Sequence, residues 1–446
     1  MKKILLSMLG MVLFQIGFAQ FGNLLERAKN KVNNKVNQKI DQKMDNAIDK
    51  GIDGAEKGAK DATSSSKKTT NETTDTVEET TQGKGSKKSG GSTSGSFKSY
   101  SKFDFVPGEN LLAAEDFSQD VVGDFPDKWN TNGSGEIVTT NTRDGKFLMT
   151  QKEVVFYPEW IKNLPDNFTL EFDLMSSENF SYYSGGFVVG FTSSNSIGKN
   201  FREFARFGAG NISNGGGFEV AFHPQNAGGK RGMTFFYSSF NKNQNLKNEA
   251  DQDNFSEPDK TSVRVSIWRQ KTRVRVYMDD KKVWDLPRGI SEGLKLESVY
   301  FRNDGNSNND DAFYIGNIRL AVGNPDTRNK LITEGKFVTN GILFDVNSDK
   351  IKPESYGAIK DIANVLTENK EVNVQIIGHT DSDGDDNGNL TLSKKRAEAV
   401  KAALSKEFGI AASRMTTDGK GESAPVDSNN TALGKAKNRR VEFVKQ

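Results

Sequence analysis

The feature that most constrains the fold is a strand, a polar loop and a helix that follow one another within residues 372–408. Residues 372–377 form a run rich in β-branched side chains, which predicts a buried strand that ends at Gly378. A loop rich in Gly and Asp comes next. Ser393 is placed to cap a helix over residues 393–408, in which apolar residues recur at helical spacing.

Charged and polar side chains flank this loop. His379, Thr380 and Asp381 follow the strand directly, and Arg396 lies in the first turn of the predicted helix. We expect His379 to hold the loop by hydrogen bonding, because no second histidine is near it in the sequence. We expect Asp381 and Arg396 to face one crevice, so the pair suits a ligand that carries both an ammonium and a carboxylate group.

The C-terminal region, residues 336–446, alternates strands and helices. This order predicts an α/β layered domain in which ligand chemistry lies outside the strand ends. The predicted strands cover residues 342–345, 372–377, 415–418 and 440–444, and the predicted helices cover residues 354–367 and 393–408.

Several motifs in this region occur together and in order. They are Ile342-Leu343-Phe344-Asp345-Val346-Asn347-Ser348, Gly378-His379-Thr380-Asp381, Leu392-Ser393, Arg396-Ala397, Gly419-Lys420-Gly421-Glu422-Ser423 and Asn438-Arg439-Arg440-Val441-Glu442. On these motifs, residues 336–446 closely resemble the peptidoglycan-binding domain of the OmpA C-terminal family.

The resemblance implies a βαβαββ domain with a peptidoglycan site. It implies that the carboxylate of Asp381 binds the ammonium group of a diaminopimelate side chain, and that Arg396 binds the neighbouring carboxylate. It also places five further residues at the site, namely Thr380, Asn347 and Asn389 around the pocket, Leu392 in its wall and Arg440 as a flanking charge.

Two other interpretations of the loop stay open. In the first, Asp381 and Arg396 form a structural salt bridge and bind nothing. In the second, Asp381, Asp383 and Asp385 bind calcium, because they have the one-three-five spacing of a calcium loop. The sixth position is Asp386 instead of glycine and the twelfth is leucine instead of glutamate, so we expect no metal.

Residues 103–322 have a different texture, with short runs that alternate apolar and polar residues between Gly, Asn and Asp turns. This pattern predicts an antiparallel β-sandwich. With Asp116-Phe117 and Phe125-Pro126-Asp127-Lys128-Trp129, it resembles concanavalin-like or laminin-G-like jelly rolls. The predicted strands cover residues 168–174, 186–191, 218–222, 233–237, 263–268, 273–278, 281–286 and 313–320.

Two ligand hypotheses concern the sandwich. Glu171 and Asp173 are two residues apart on one predicted strand, as in jelly-roll glycoside hydrolases. The third acid of those enzymes is absent at Ser176, so we interpret the two acids as part of a solvated face and expect no catalysis. Aromatic side chains that would stack on a glycan if exposed are Trp160, Tyr182, Tyr183 and Trp268.

The N-terminal region divides into three segments. Residues 1–19 combine a basic start with an apolar run, which predicts a secretory signal peptide. In residues 20–60, apolar residues recur every fourth position beside lysines, which predicts an amphipathic helix on a membrane or partner, or a solvated and partly formed helix. Residues 61–97 are rich in Ser, Thr, Gly and Lys and predict a disordered tether. A linker is expected at residues 323–335.

The chain has 446 residues, a net charge of +2 and no cysteine. The charge does not favour nucleic acid as a partner, and a chain without cysteine forms neither disulfides nor thiolate metal sites. We expect no cofactor. The predicted protein is exported, lies on the periplasmic side of the outer membrane, binds peptidoglycan without catalysis, and links it to the membrane surface or an envelope protein. The alternatives are glycan binding or hydrolysis by the sandwich, and a structural spacer that assembles through its N-terminal helix.

Overall fold

The computed structural model describes residues 104–205, 216–226, 228–229, 231–241, 244–305, 310–323 and 326–446. These residues belong to one compact unit, which extends over residues 94–446. The predicted signal peptide, N-terminal helix and tether lie outside the described residues. None of the described helices is both long enough and apolar enough to cross a membrane.

The described part of residues 104–323 consists of β-strands, short turns of 3-10 helix and connecting loops. Its strands are β1 (Asn110–Glu115), β2 (Trp129–Thr131), β3 (Glu136–Thr139), β4 (Lys146–Thr150), β5 (Val154–Pro158), β6 (Lys162–Leu164), β7 (Asn167–Ser176), β8 (Phe187–Thr192), β9 (Gly217–His223), β10 (Gly232–Asn241), β11 (Gln244–Gln252), β12 (Ser262–Gln270), β13 (Arg273–Met278), β14 (Lys281–Leu286), β15 (Leu296–Asn303) and β16 (Phe313–Val322).

These strands form two antiparallel sheets of eight strands each. The first sheet has the order β14-β13-β12-β7-β16-β4-β3, with β1 also paired to β16. The second has the order β11-β10-β9-β8-β15-β5-β2, with β6 also paired to β15. Their inner faces share one apolar core, in which the ring centres of Phe172 on β7 and Phe301 on β15 are 5.6 Å apart.

The sequence located half of these strands. Each of the eight predicted strands has a counterpart, and the hairpin of β13 and β14 turns at Asp279 and Asp280. The strands without a prediction are β1 to β6, β11 and β15. Of these, β2 and β6 have only three residues each, and β11 (QNLKNEADQ) carries almost no apolar residues. Short and polar strands give too little alternation for a pattern to be recognised.

The C-terminal domain is a four-stranded sheet with helices. Its elements are β17 (Lys336–Thr339), α1 (Tyr356–Glu368), β18 (Val374–Gly378), α2 (Asp386–Phe408), β19 (Met415–Gly419), α3 (Ala432–Asn438) and β20 (Val441–Lys445). The strand order is β17-β20-β18-β19, and β18 and β19 are parallel. The α/β prediction is therefore confirmed for this domain, although helix α3 was not predicted.

The first predicted strand of this domain is wrong. Residues 342–345 do not form a strand, and Phe344 makes only an isolated bridge with Ile351. The strand is instead Lys336–Thr339, where Phe337 packs near Phe443 of β20 with their ring centres 6.4 Å apart. Because Phe344 lies outside the sheet, its ring can pack against the guanidinium of Arg396.

The prediction of a solvated face at Glu171 and Asp173 is also wrong. Both side chains are buried, because Arg264 lies between them, with Nη1 3.1 Å from Asp173 Oδ1 and Nη2 3.6 Å from Glu171 Oε2. The charge of Arg264 also interacts with Glu354 of the C-terminal domain, and that of Asp173 with Lys352. The C-terminal domain thus covers this outer face of the first sheet.

Apolar contacts join the two parts. Leu111 and Ala321 of the sandwich form a small cluster with Ala436 of α3. Phe105 packs against Tyr277, and the same cluster includes Trp268 and Tyr356 at the start of α1. Of the four aromatics considered for glycan stacking, Trp268 therefore packs at this junction and Trp160 packs against the sandwich core.

Candidate ligand site

The helix that follows the polar loop begins earlier than the sequence predicts. Helix α2 starts at Asp386, and the carboxylate of Asp385 caps it by accepting a hydrogen bond of 2.8 Å from Gly388 N. Ser393 is not a cap, because its hydroxyl is buried and accepts a hydrogen bond of 2.9 Å from Gly421 N. Arg396 consequently lies about three turns into the helix, and not in its first turn.

Close packing of this helix on the strand end depends on Gly378. A Cβ atom at this position would lie 2.2 Å from the carbonyl oxygen of Ser393. The loop is held on its other side by the backbone of Thr380, whose N–H donates to Gly421 O at 2.9 Å. Strand β18 and helix α2 therefore meet without an intervening side chain, which fixes Asp381 relative to Arg396.

Asp381 forms an ion pair, although with a different arginine from the one the sequence suggested. Its Oδ2 accepts a hydrogen bond from Nη1 of Arg439, and its Oδ1 accepts one of 3.3 Å from the backbone of Asp383. Nη2 of Arg439 lies 3.8 Å from Oδ2 of Asp116 in the sandwich. Arg439 thus bridges the strand end to the other part of the molecule.

Arg396 has no carboxylate within 4 Å among the described residues. Its Nε–H donates to Ser348 O at 3.0 Å, and its guanidinium carbon lies 4.9 Å from the centre of the Phe344 ring. Desolvation lowers the pKa of Arg396 to about 10, against the opposing attraction of Asp381. Arg396 is therefore charged at neutral pH, close enough to Asp381 to interact with it, and its two Nη groups are left available for a ligand.

Arg396 lies on a cavity of about 110 Å³, enough for several water molecules, whereas Asp381 is buried and is not part of the cavity wall. Its wall includes Phe344, Arg396, His379, Arg439, Arg440 and Arg319, the last from strand β16 of the sandwich. Four arginines line this cavity, and among the described residues only Arg439 and Arg440 have carboxylate partners, so the chemistry it favours is binding of an anion.

His379 lies in this wall as a neutral side chain. Burial, together with the charge of Arg440, lowers its pKa to about 4. Neither ring nitrogen has a hydrogen-bond partner in the part of the chain that the structure describes. The prediction that the side chain holds the loop by hydrogen bonding is therefore wrong. Its backbone N–H does so instead, donating to Arg440 O at 3.0 Å.

The remaining predicted site residues are divided. Asn347, Asn389 and Leu392 line a separate open groove of about 520 Å³. Thr380 is buried and does not line either space. Arg440 lines the cavity, but its Nε and Nη2 both donate to Oε1 of Glu442, at 2.9 and 2.7 Å.

Two further aspartates of the acidic loop have partners within the protein. Lys435 Nζ lies 2.7 Å from Oδ1 of Asp383, and Asp385 is used as the helix cap. The two carboxylates that would have to bind calcium with Asp381 thus have other partners within the fold.

Three residues at this site were missed as site residues by sequence reasoning. Arg439 belongs to a motif recognised in the sequence, but its contact with Asp381 spans 58 residues. Asp116 and Arg319 belong to the sandwich, and no local pattern connects them to the C-terminal domain.

The OmpA family model matches residues 343–439. Outer membrane porin F of Pseudomonas fluorescens is 46% identical over 101 residues, which are 23% of this chain and 31% of that protein. Probable lipoprotein YiaD of Escherichia coli (strain K12) is 44% identical over 104 residues, 23% of this chain and 47% of that protein. The chain thus spans less than half of the length of these relatives.

A further relative is matched over more of its length. Putative lipoprotein YfiB of Escherichia coli (strain K12) is 40% identical over 107 residues, which are 24% of this chain and 67% of that protein. Among solved structures, the peptidoglycan-associated lipoprotein from Burkholderia pseudomallei is 28% identical with a TM-score of 0.24, over 27% of this chain and 100% of that one. Through its C-terminal domain, this chain belongs to the OmpA family.

Proposed function

We propose that this protein binds peptidoglycan through its C-terminal domain, without catalysis, as a component of the bacterial cell envelope. The observation that carries the proposal is the placement of Arg396. Arg396 lines a cationic cavity and has no carboxylate partner within 4 Å among the described residues, while Asp381 lies near enough to influence its charge. A ligand with adjacent ammonium and carboxylate groups would satisfy both.

The ligand we propose is the diaminopimelate side chain of a stem peptide. Its ammonium group replaces the guanidinium of Arg439 on the carboxylate of Asp381, and its carboxylate binds the Nη groups of Arg396. Each charge-assisted hydrogen bond of this kind contributes about 1.5–3 kcal/mol when it is well aligned. Asn347, Asn389 and Leu392 line the open groove, and we propose that they contact the rest of the peptide.

The cellular arrangement follows from the same proposal. The protein is exported, lies on the periplasmic side of the outer membrane, and links the wall to the membrane surface or to an envelope partner through residues 20–60. Residues 61–97, the predicted tether, would connect that segment to the sandwich.

Sedimentation with purified peptidoglycan tests the proposal. The wild type is expected to co-pellet, whereas Asp381→Ala and Arg396→Ala are each expected to bind about 10- to 150-fold more weakly, because each loses a charge-assisted bond. Lys406→Ala is the matched control, since it removes an exposed positive charge from the same helix away from the cavity. Co-pelleting of both site variants at the wild-type level would contradict the proposal.

A second candidate function, glycan binding, is favoured by one observation on the sandwich. Tyr182 and Tyr183 are 42% and 85% exposed, and their ring centres are 5.5 Å apart. Tyr183 borders an open groove of about 540 Å³, together with Lys152, Glu153 and Asp304. Aromatic rings beside polar groups suit stacking on a sugar. Glycan strands stripped of stem peptides should then be retained by the wild type and lost by Tyr183→Ala.

A further inference from the structure

Arg319 reaches the cavity from the sandwich and is fixed there by the C-terminal domain. Its Nη2–H donates to the carbonyl oxygen of Asn340 at 2.9 Å. The side-chain amide of Asn340 in turn donates to the carbonyl oxygens of Ala436, Lys437 and Arg439, at 3.0, 3.0 and 2.9 Å. The guanidinium of Arg319 is thus positioned by the same segment that carries Arg439.

The charges around the cavity are not balanced. Arg440 is paired with Glu442 at 2.7 Å, and Arg439 is paired with Asp381. Arg319 and Arg396 have no carboxylate within 4 Å among the described residues. The protein therefore leaves two guanidinium groups on one small cavity without a counter-charge, in a place where an unpaired charge is costly.

The surroundings of Arg319 within the described ranges also leave its charge without a partner. Its Nε–H is buried and has no hydrogen-bond partner in the described part of the chain. Desolvation lowers the pKa of Arg319 to about 10, and the nearby charges of Arg264 and Arg439 lower it further against the attraction of Glu171. Glu171 itself pairs with Arg264. An anion in the cavity would supply the negative charge and the hydrogen-bond acceptor that Arg319 lacks among the described residues.

We propose that Arg319 is a second carboxylate-binding arginine of the wall-peptide pocket, so that the sandwich completes the site and selects a ligand with a free carboxylate. This inference rests on the proposed function. Arg319 and Arg396 hold the same ligand carboxylate from the two parts of the molecule, while Asp381 receives the ammonium group. A ligand whose carboxylate is amidated would lose the interaction with both arginines.

Calorimetric titration of the full chain with the soluble tripeptide L-Ala-γ-D-Glu-meso-diaminopimelate tests the proposal. We expect Arg319→Gln to weaken binding by about tenfold or more, the worth of one charge-assisted bond, and Arg319→Lys to weaken it less. With the tripeptide amidated at the diaminopimelate side-chain carboxylate, the wild type and Arg319→Gln should differ by less than about twofold. This comparison separates the ligand contact from any effect on folding, since both ligands meet the same variant proteins.

The outcomes distinguish this inference from the proposed function. Equal binding of the acid tripeptide by the wild type and Arg319→Gln, or tighter binding by the variant, overturns the role of Arg319 and leaves the wall site intact. If the wild type binds no tripeptide, the proposed function fails. In that case sodium acetate, compared with sodium chloride at equal ionic strength, decides the anion site. The anion site is supported if acetate raises the melting temperature of the wild type but not that of Arg319→Gln or Arg396→Gln. The anion site is overturned if acetate does not stabilise the wild type.

Discussion

The replacement Gly378→Ala tests how closely helix α2 is packed on the end of β18. The added Cβ would lie 2.2 Å from Ser393 O and 3.0 Å from the carbonyl carbon of the same residue. The first distance is about 1 Å shorter than the ~3.3 Å of a close carbon–oxygen contact. Both obstacles are backbone atoms, so no side chain can rotate away and the helix itself must move.

We expect this replacement to lower the free energy of unfolding by about 3 kcal/mol, the upper end of the range for overpacking. Urea denaturation of the full chain measures the change. Gly228→Ala is the matched control, because the nearest atom to its Cβ would be Asn226 Oδ1 at 3.5 Å. The control should be neutral or stabilise by about 0.4–1 kcal/mol. A Gly378→Ala variant within about 0.5 kcal/mol of the wild type would refute the packing described for the site.

Three further perturbations probe other parts of the fold. Asp385→Ala should lower the free energy of unfolding by about 1 kcal/mol, because it removes the cap of α2, and urea denaturation measures the change. Arg264→Met should cost about 3–5 kcal/mol by stranding two buried carboxylates. Burial raises the pKa of Asp173, but the charge of Arg264 and of the other nearby cations outweighs burial, so the pKa is lowered overall. The stability that the ion pair of Asp173 contributes is therefore present above about pH 4 and is lost as the pH falls further. The pKa of His379 is lowered from 6.5 to about 4, so as the pH falls the unfolded chain binds a proton before the folded chain does. The free energy of unfolding of the wild type should therefore fall by about 3 kcal/mol between pH 6.5 and 4, and His379→Leu should not show this loss.

The sequence predicts the C-terminal domain well because its signals are local. The strand at 374–378, the polar loop and a long helix are contiguous, so Asp381 and Arg396 follow from short patterns. The helix start was misplaced because residues 386–392 are mostly polar and lack the apolar spacing of the later turns. A capping aspartate earlier in the loop extends the helix there despite the absence of that pattern.

What the sequence does not predict depends on contacts between distant segments. Alternation along β7 places Glu171 and Asp173 on one face but does not tell whether that face meets water or another domain. The C-terminal domain covers this face, and the two acids pair with Arg264. The same limit applies to Asp116 and Arg319, whose roles arise only when the sandwich and the C-terminal domain are packed together.

The most direct test of the central claim is a crystal structure of the full chain bound to the diaminopimelate tripeptide. We predict that the ligand ammonium lies within hydrogen-bond distance of the Asp381 carboxylate, with Arg439 displaced from it, and that the adjacent carboxylate contacts the Nη groups of Arg396. A tripeptide bound elsewhere, with the Asp381–Arg439 ion pair intact and the Arg396 guanidinium unoccupied, would contradict the account.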